Sequence, residues 1–153
     1  MTDEMTAKAR AILDTTRYAV LGTATPTGEP WVSPVYFVND GLTTLLWLSR
    51  PTSHHSLLIA ENSRIAVTVF DSTVVMGGAT AFYARARAAL CPTADLPAQL
   101  EAFSTRSAAV GFPTWRPDQV TGDAPLRLYR AVVTEAWLLP AEAGPERRIP
   151  LPL

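Results

Sequence analysis

The segment Ala79–Leu90, ATAFYARARAAL, alternates with a period of two. Phe82, Ala84, Ala86, Ala88 and Leu90 fall on one side, and Tyr83, Arg85 and Arg87 on the other. Successive side chains of a strand point to opposite faces, so this pattern demands an extended segment with one buried side. Similar signals recur along the chain. Arg17–Thr25 (RYAVLGTAT) is rich in strand formers and ends at the turn Thr27-Gly28-Glu29-Pro30. Trp31–Val38 (WVSPVYFV) and Leu42–Ser49 (LTTLLWLS) flank Asn39-Asp40-Gly41. Asp-Gly between two apolar runs predicts a hairpin, because glycine accepts the positive φ of the turn. Arg64–Asp71 and Leu126–Leu139 complete the set. Pro34 has no N–H to donate to a ladder, which predicts that Trp31–Val38 lies at a sheet edge or is bulged there.

Between the strands, Thr2–Thr16 reads as a helix: Asp3 and Glu4 suit the positive end of its dipole, and Ala7, Ala11, Ile12 and Leu13 supply an apolar side. Ser53 as N-cap and Asn62 as stop bound a second helix over 54–61. Asp95–Val110 carries Leu96, Leu100 and Phe103 at helical spacing. Residues 111–124, with Pro113, Pro117 and Gly122, read as irregular loop. The expected fold is mainly β: about six antiparallel strands in a closed or partly closed barrel with short flanking helices. One barrel domain covers residues 1–139, and residues 140–153 form a proline-rich C-terminal arm.

Composition narrows the function. Thirteen Lys+Arg against fourteen Asp+Glu leave a net charge of −1. That balance argues against nucleic acid or an anionic membrane as partner, since both are held by a basic excess. The single cysteine, Cys91, has no internal partner, no Cys/His spacing suggests a metal site, and the polar N-terminus is unlike a secretory signal; a cytoplasmic protein is expected. Charged residues make up 18% and hydrophobic ones 48%, so part of the surface is expected to be covered by something else. No phosphate-binding glycine loop, nucleophile elbow or zinc-protease motif is present.

The chemistry concentrates in Ser49-Arg50-Pro51-Thr52-Ser53-His54-His55-Ser56, where a strand end runs into a helix N-terminus. Unpaired N–H groups, hydroxyls and a guanidinium suit an anion, and the same residues also suit a capped helix with a polar entry turn. His54 and His55 point about 100° apart on a helix and do not converge on one ion. Cys91 beside Pro92 reads as a structural thiol. Arg85 and Arg87 share a strand side with Tyr83, which fits a solvated face, a subunit contact or an anion site.

In its order of elements, from RYAVLGTATPTGEPWVSPVYFVNDG through LLWLSRPTSHHSLLIAENSRIAVTVF to LRLYRAVVTEAWLL, the chain resembles the pyridoxamine 5′-phosphate oxidase-like family of FMN-binding split β-barrels over residues 5–139. The resemblance implies a flavin-dependent oxidoreductase acting on a small molecule, with the flavin at a homodimer interface. It implies that Ser49, Ser53 and His55 hold the FMN phosphate, His55 standing where the family carries Lys or Arg and Arg50 supplying charge. It places the flavin ring along Pro34, Val35, Tyr36 and Phe37 with Trp47, and brings Trp137 from the second protomer. Trp137 and Tyr129 are expected on one face of the last strand. No second cluster of basic residues is evident, which disfavours a phosphorylated substrate. Alternatives are a deazaflavin coenzyme or a non-catalytic flavin or haem carrier, haem being the least favoured.

Overall fold

The computed structural model describes residues 2–141 and 147–153. Helix α1 (Thr2–Thr15) precedes β1 (Tyr18–Ala24), β2 (Pro30–Tyr36), β3 (Val38–Asp40) and β4 (Thr44–Ser49). Helix α2 (His54–Glu61) leads into β5 (Arg64–Phe70) and β6 (Ala81–Leu90), and α3 (Leu96–Ala109) into β7 (Arg127–Leu139) and β8 (Ile149–Pro150).

The eight strands form one antiparallel sheet in the order β2-β1-β5-β6-β7-β4-β3, with β8 added alongside β7. The two ends of that order, β2 and β3, are consecutive in the chain and separated only by Phe37. A sheet whose edges are joined by one residue has to curl, and the result is the expected barrel. Phe37 is buried at the bend and donates its N–H to Arg17 O at 3.1 Å. Pro34 does sit in an edge strand, opposite Val20, where its missing donor costs nothing.

The alternation of β6 is realised, with Phe82, Ala84, Ala86 and Ala88 inward and Arg85 and Arg87 outward; Leu90, at the strand end, is exposed. The barrel interior is filled by inward residues such as Leu21, Val35, Trp47, Val67, Val69 and Leu138. Helix α1 closes one end through Met5, Ala9 and Leu13, spaced i, i+4, i+8. Ala7 and Ala11, expected on that side, are exposed. A smaller cluster outside the barrel packs Leu100 and Phe103 of α3 against Val38, Leu46 and Leu128. Asn39 ties these parts together, donating from Nδ2 to Asp14 Oδ1 (2.9 Å) and to Gly41 O (3.1 Å).

Two expectations need correction. The segment Trp31–Val38 is not one strand: β2 pairs with β1, and only Val38–Asp40 forms the hairpin with β4, because the chain bends at Phe37. Among the described residues the sheet has eight strands, the six expected together with short β3 and β8, which leaves the expected barrel intact. Finally, Tyr129 and Trp137 lie on opposite faces. A bulge at Thr134, where Arg85 pairs with Glu135 and Ala86 with Val133, inserts one residue between them. Inward positions therefore run 129, 131, 133 and then 136, 138. In the C-terminal arm, Ile149 and Pro150 pair with Leu138 and Trp137 of β7, and Leu151 is buried, whereas residues 142–146 lie outside the described ones.

The bulge fixes a testable parity. Ala136→Asp places an unpaired charge in the core and is expected to cost more than about 4 kcal/mol in urea denaturation. Glu135→Ala removes only an exposed ion pair with Arg85 and is expected to cost less than about 1 kcal/mol.

Candidate functional site

Strand β4 delivers Ser49 to the start of α2, and the turn Arg50–Ser53 reverses the chain so that Ser49 meets the helix. Ser49 Oγ lies 2.8 Å from His55 Nε2, and Ser53 Oγ lies 3.3 Å from the same nitrogen. The Ser53 hydroxyl donates to Arg50 O at 2.8 Å, so the 2.7 Å contact between Ser53 and Ser56 has Ser56 as donor. Ser49, Ser53 and His55 thus come together as expected, and Ser56 joins them. Arg50 is exposed at the edge of the cluster.

Ser53 occupies the N-cap position with extended backbone, yet its hydroxyl makes no capping bond. The first helical hydrogen bond runs from Leu57 N–H to Ser53 O. The N–H groups of His54, His55 and Ser56 precede it and have no partner within the helix. An anion at this end would find those donors aligned with the positive end of the helix dipole. Burial, followed by the neighbouring His54, holds the His55 imidazole below its ordinary pKa, so it stays neutral at pH 7. The two histidines diverge: His54 packs edge-on against Trp31 of β2 with ring centroids 4.7 Å apart. That contact sets the helix start against the edge strand.

The expected ring wall divides by strand parity. Val35 and Phe37 point into the core. Pro34 and Tyr36 face outward, and β2, as an edge strand, retains backbone groups that can meet a ligand. Trp47 is corrected: it is completely buried, stacked on Tyr129 at 6.0 Å, and presents no surface to a ligand. Its side chain points inward from β4 because it alternates with Leu46 and Leu48, which face α3.

Trp137 is half-buried on the outer face of β7. The registers align two rows across that face: Pro34–Val20–Thr68–Tyr83–Trp137 and Val32–Gly22–Ala66–Arg85–Glu135. Trp137 is therefore four strands from Pro34, about 19 Å along the sheet at ~4.8 Å per strand. One chain does not bring Trp137 to the α2 entry. The face is apolar at its β2 end, where Val32 is 67% and Tyr18 57% exposed. It becomes cationic toward β7, where Arg85 bonds Glu135 at 2.9 Å and lies over Trp137, and Arg148 lies over Tyr83. Arg85 and Arg87 line one groove of about 920 Å³ with Glu61 and Arg64, and Arg147 and Arg148 line a second of about 470 Å³. Cys91 is partly buried, 2.9 Å from Gln99 Oε1, and burial raises its pKa, which makes it a poor nucleophile.

Sequence reasoning did not find the region around α3. Tyr36, Leu48, Phe103, Ser107, Phe112 and Trp115 surround a further cavity of about 260 Å³. The aromatic residues of the 111–124 loop were the available signal, but nothing local shows that Phe112 and Trp115 fold back onto α3. The loop is also less irregular than expected, with a short 3₁₀ turn at Pro117–Gln119.

Several solved structures share this architecture. A haem-binding protein from Mycobacterium smegmatis superposes with a TM-score of 0.72 at 16% identity, covering 95% of this chain and 57% of that one. A FAD-binding protein from Mesorhizobium loti gives a TM-score of 0.66 at 18% identity, with 86% and 91% covered. An F420 reductase gives 0.59 at 20% identity, with 83% and 94% covered. At these identities the likeness is one of fold. Comparison with curated protein sequences gives no match. Among the described residues, no helix is long and apolar enough to cross a membrane. The family model of pyridoxamine 5′-phosphate oxidase matches residues 5–139, nearly the whole barrel, and the chain belongs to that family.

Proposed function

We propose that this protein is an FMN-dependent oxidoreductase that works on a small molecule in the cytoplasm, with its flavin held between two copies of the chain. The observation that carries the reading is the uncapped start of α2. Its open N–H groups, with the Ser49 hydroxyl beside them and Arg50 at the rim, form a donor set that fits a phosphate monoester, while the Ser53 and Ser56 hydroxyls hold the turn. It fits as a hydrogen-bonding cradle with little fixed charge, which suits the single phosphate of FMN better than the longer anionic tail of a deazaflavin coenzyme. Engagement of His55 Nε2 by Ser49 weighs against that residue as a haem ligand.

A bound flavin would supply the hydride and electron chemistry. The chain's residues would bind, orient and exclude water: the α2 entry would fix the phosphate, and the outer side of β2 (Pro34 and the backbone about Val35) would receive the ring, with Tyr36, turned toward α3, at its border. The distance from β2 to Trp137 makes a two-chain site the natural completion. The exposed Val32 and Tyr18 on the same face are apolar surface that a second copy would cover. This contact would account for the composition, rich in hydrophobic residues and short of charge.

Titration of the purified protein with FMN is expected to show saturable binding, and Ser49→Ala with Arg50→Ala is expected to weaken it about tenfold or more. Unchanged affinity would remove the phosphate assignment; failure to bind FMN at all would remove the function.

The pH dependence has a definite sign. His55 is neutral at pH 7, and a phosphate beside it favours the imidazolium, so FMN binding takes up a proton. Affinity is expected to rise as pH falls from about 8 to about 6, crossing the ordinary histidine range near ~6.5. His55→Lys should bind more tightly and lose most of that dependence. Without ligand the sign reverses: the folded His55 resists protonation and the unfolded one does not, so its contribution to stability falls as pH drops below about 6.5.

A further inference from the structure

The cavity against α3 differs in kind from the α2 entry. Its wall is built from Tyr36, Leu48, Phe103, Ser107, Phe112 and Trp115, and none of the residues lining it carries a charge. Tyr36 lines it edge-on to Phe112, with centroids 4.8 Å apart, and to Phe103 at 5.6 Å. Its hydroxyl lies 3.1 Å from Ser107 Oγ, and Ser107 is 1% exposed. The loop that closes the cavity is pinned. Trp115 N–H donates to Ser104 Oγ at 2.8 Å, and Ser104 Oγ lies 3.3 Å from Trp115 O. Arg17 lies over the Phe112 ring 5.2 Å from its centroid and is not part of the cavity wall.

Rings set edge-on around an open space leave faces and edges for another flat apolar molecule. A charged group placed there would lose its water and gain no counter-charge. The paired hydroxyls of Tyr36 and Ser107 can each turn to donate to or accept from a single polar atom. The cavity shares β2 and β4 with the cradle: Tyr36 follows Val35, and Leu48 precedes Ser49. We infer that this pocket binds an uncharged, planar aromatic molecule carrying one hydroxyl or carbonyl group, which is held by Tyr36 and Ser107. That this molecule is the substrate rests on the flavin reading above; that the pocket binds it does not.

The test is calorimetric titration of the full chain with 1-naphthol and with 1-naphthylmethylamine, protonated at pH 7, which share a ring system and differ in charge. 1-Naphthol is expected to bind at least about tenfold more tightly. Ser107→Ala should weaken it about fivefold and Ser107→Thr should restore it. Phe112→Ala, in a half-exposed loop position that tolerates truncation, should weaken it about tenfold. Equal or tighter binding of the ammonium compound, or 1-naphthol binding that ignores both Ser107→Ala and Phe112→Ala, overturns the inference. A parallel FMN titration separates the two readings. FMN binding without 1-naphthol binding overturns the pocket alone, and 1-naphthol binding without FMN binding supports the pocket and removes the flavin.

Discussion

One residue closes the barrel. β2 and β3 are the two edges of the sheet, yet only Phe37 separates them, so the sheet must curl into a partly closed barrel. Burial of the Phe37 ring and the bond from its N–H to Arg17 O hold the bend. Closure defines an inside, filled by the alternate residues of every strand, and an outside with two uses. Helix α3 covers the outside of β3 and β4, where the aromatic cavity forms. The outside of β2, β1, β5 and β6 is left with Val32 and Tyr18 exposed, the surface that the proposed second copy would cover.

The same bend explains the geometry of the α2 entry. β4 runs beside β3, so its end at Ser49 emerges near the edge strand β2, and α2 starts there with His54 against Trp31. Ser53 bonds to Arg50 O rather than back to the helix, which stabilises the turn and leaves the helix donors open. Local stability and ligand binding thus make competing claims on one hydroxyl, and the turn has it. A neutral His55 fits the arrangement, because a buried cation beside Ser49 would require a permanent partner.

Much of the fold was legible in the sequence because alternation and turn chemistry are local. The strand at Ala81–Leu90, the helix at 54–61 and the turn glycine at Gly41, with φ of 57°, follow from residues within a few positions of one another. The cluster of Ser49, Ser53 and His55 was legible for the same reason. Apart from the face of α1, where Ala7 and Ala11 are exposed, the failures are non-local. A bulge at Thr134 leaves no mark on the run LRLYRAVVTEAWLL, but it reverses the face of Trp137 relative to Tyr129. Trp47 reads equally well as cofactor wall or core until β4 is placed, and its neighbour Tyr129 across the ladder then settles it as core. Phe103, Ser107 and Phe112 join Tyr36 only through packing of α3, across 71 positions for the Tyr36–Ser107 contact.

In the proposed site, α2's open start holds a phosphate while the ring crosses to a second chain. A crystal structure of the protein grown with FMN tests it most directly. The phosphate is expected within hydrogen-bond distance of the N–H groups of His55 and Ser56 and of Ser49 Oγ, with the ring between β2 of one protomer and Trp137 of its partner. Phosphate density at Arg147 and Arg148 instead, or a flavin enclosed by a single chain, would contradict it.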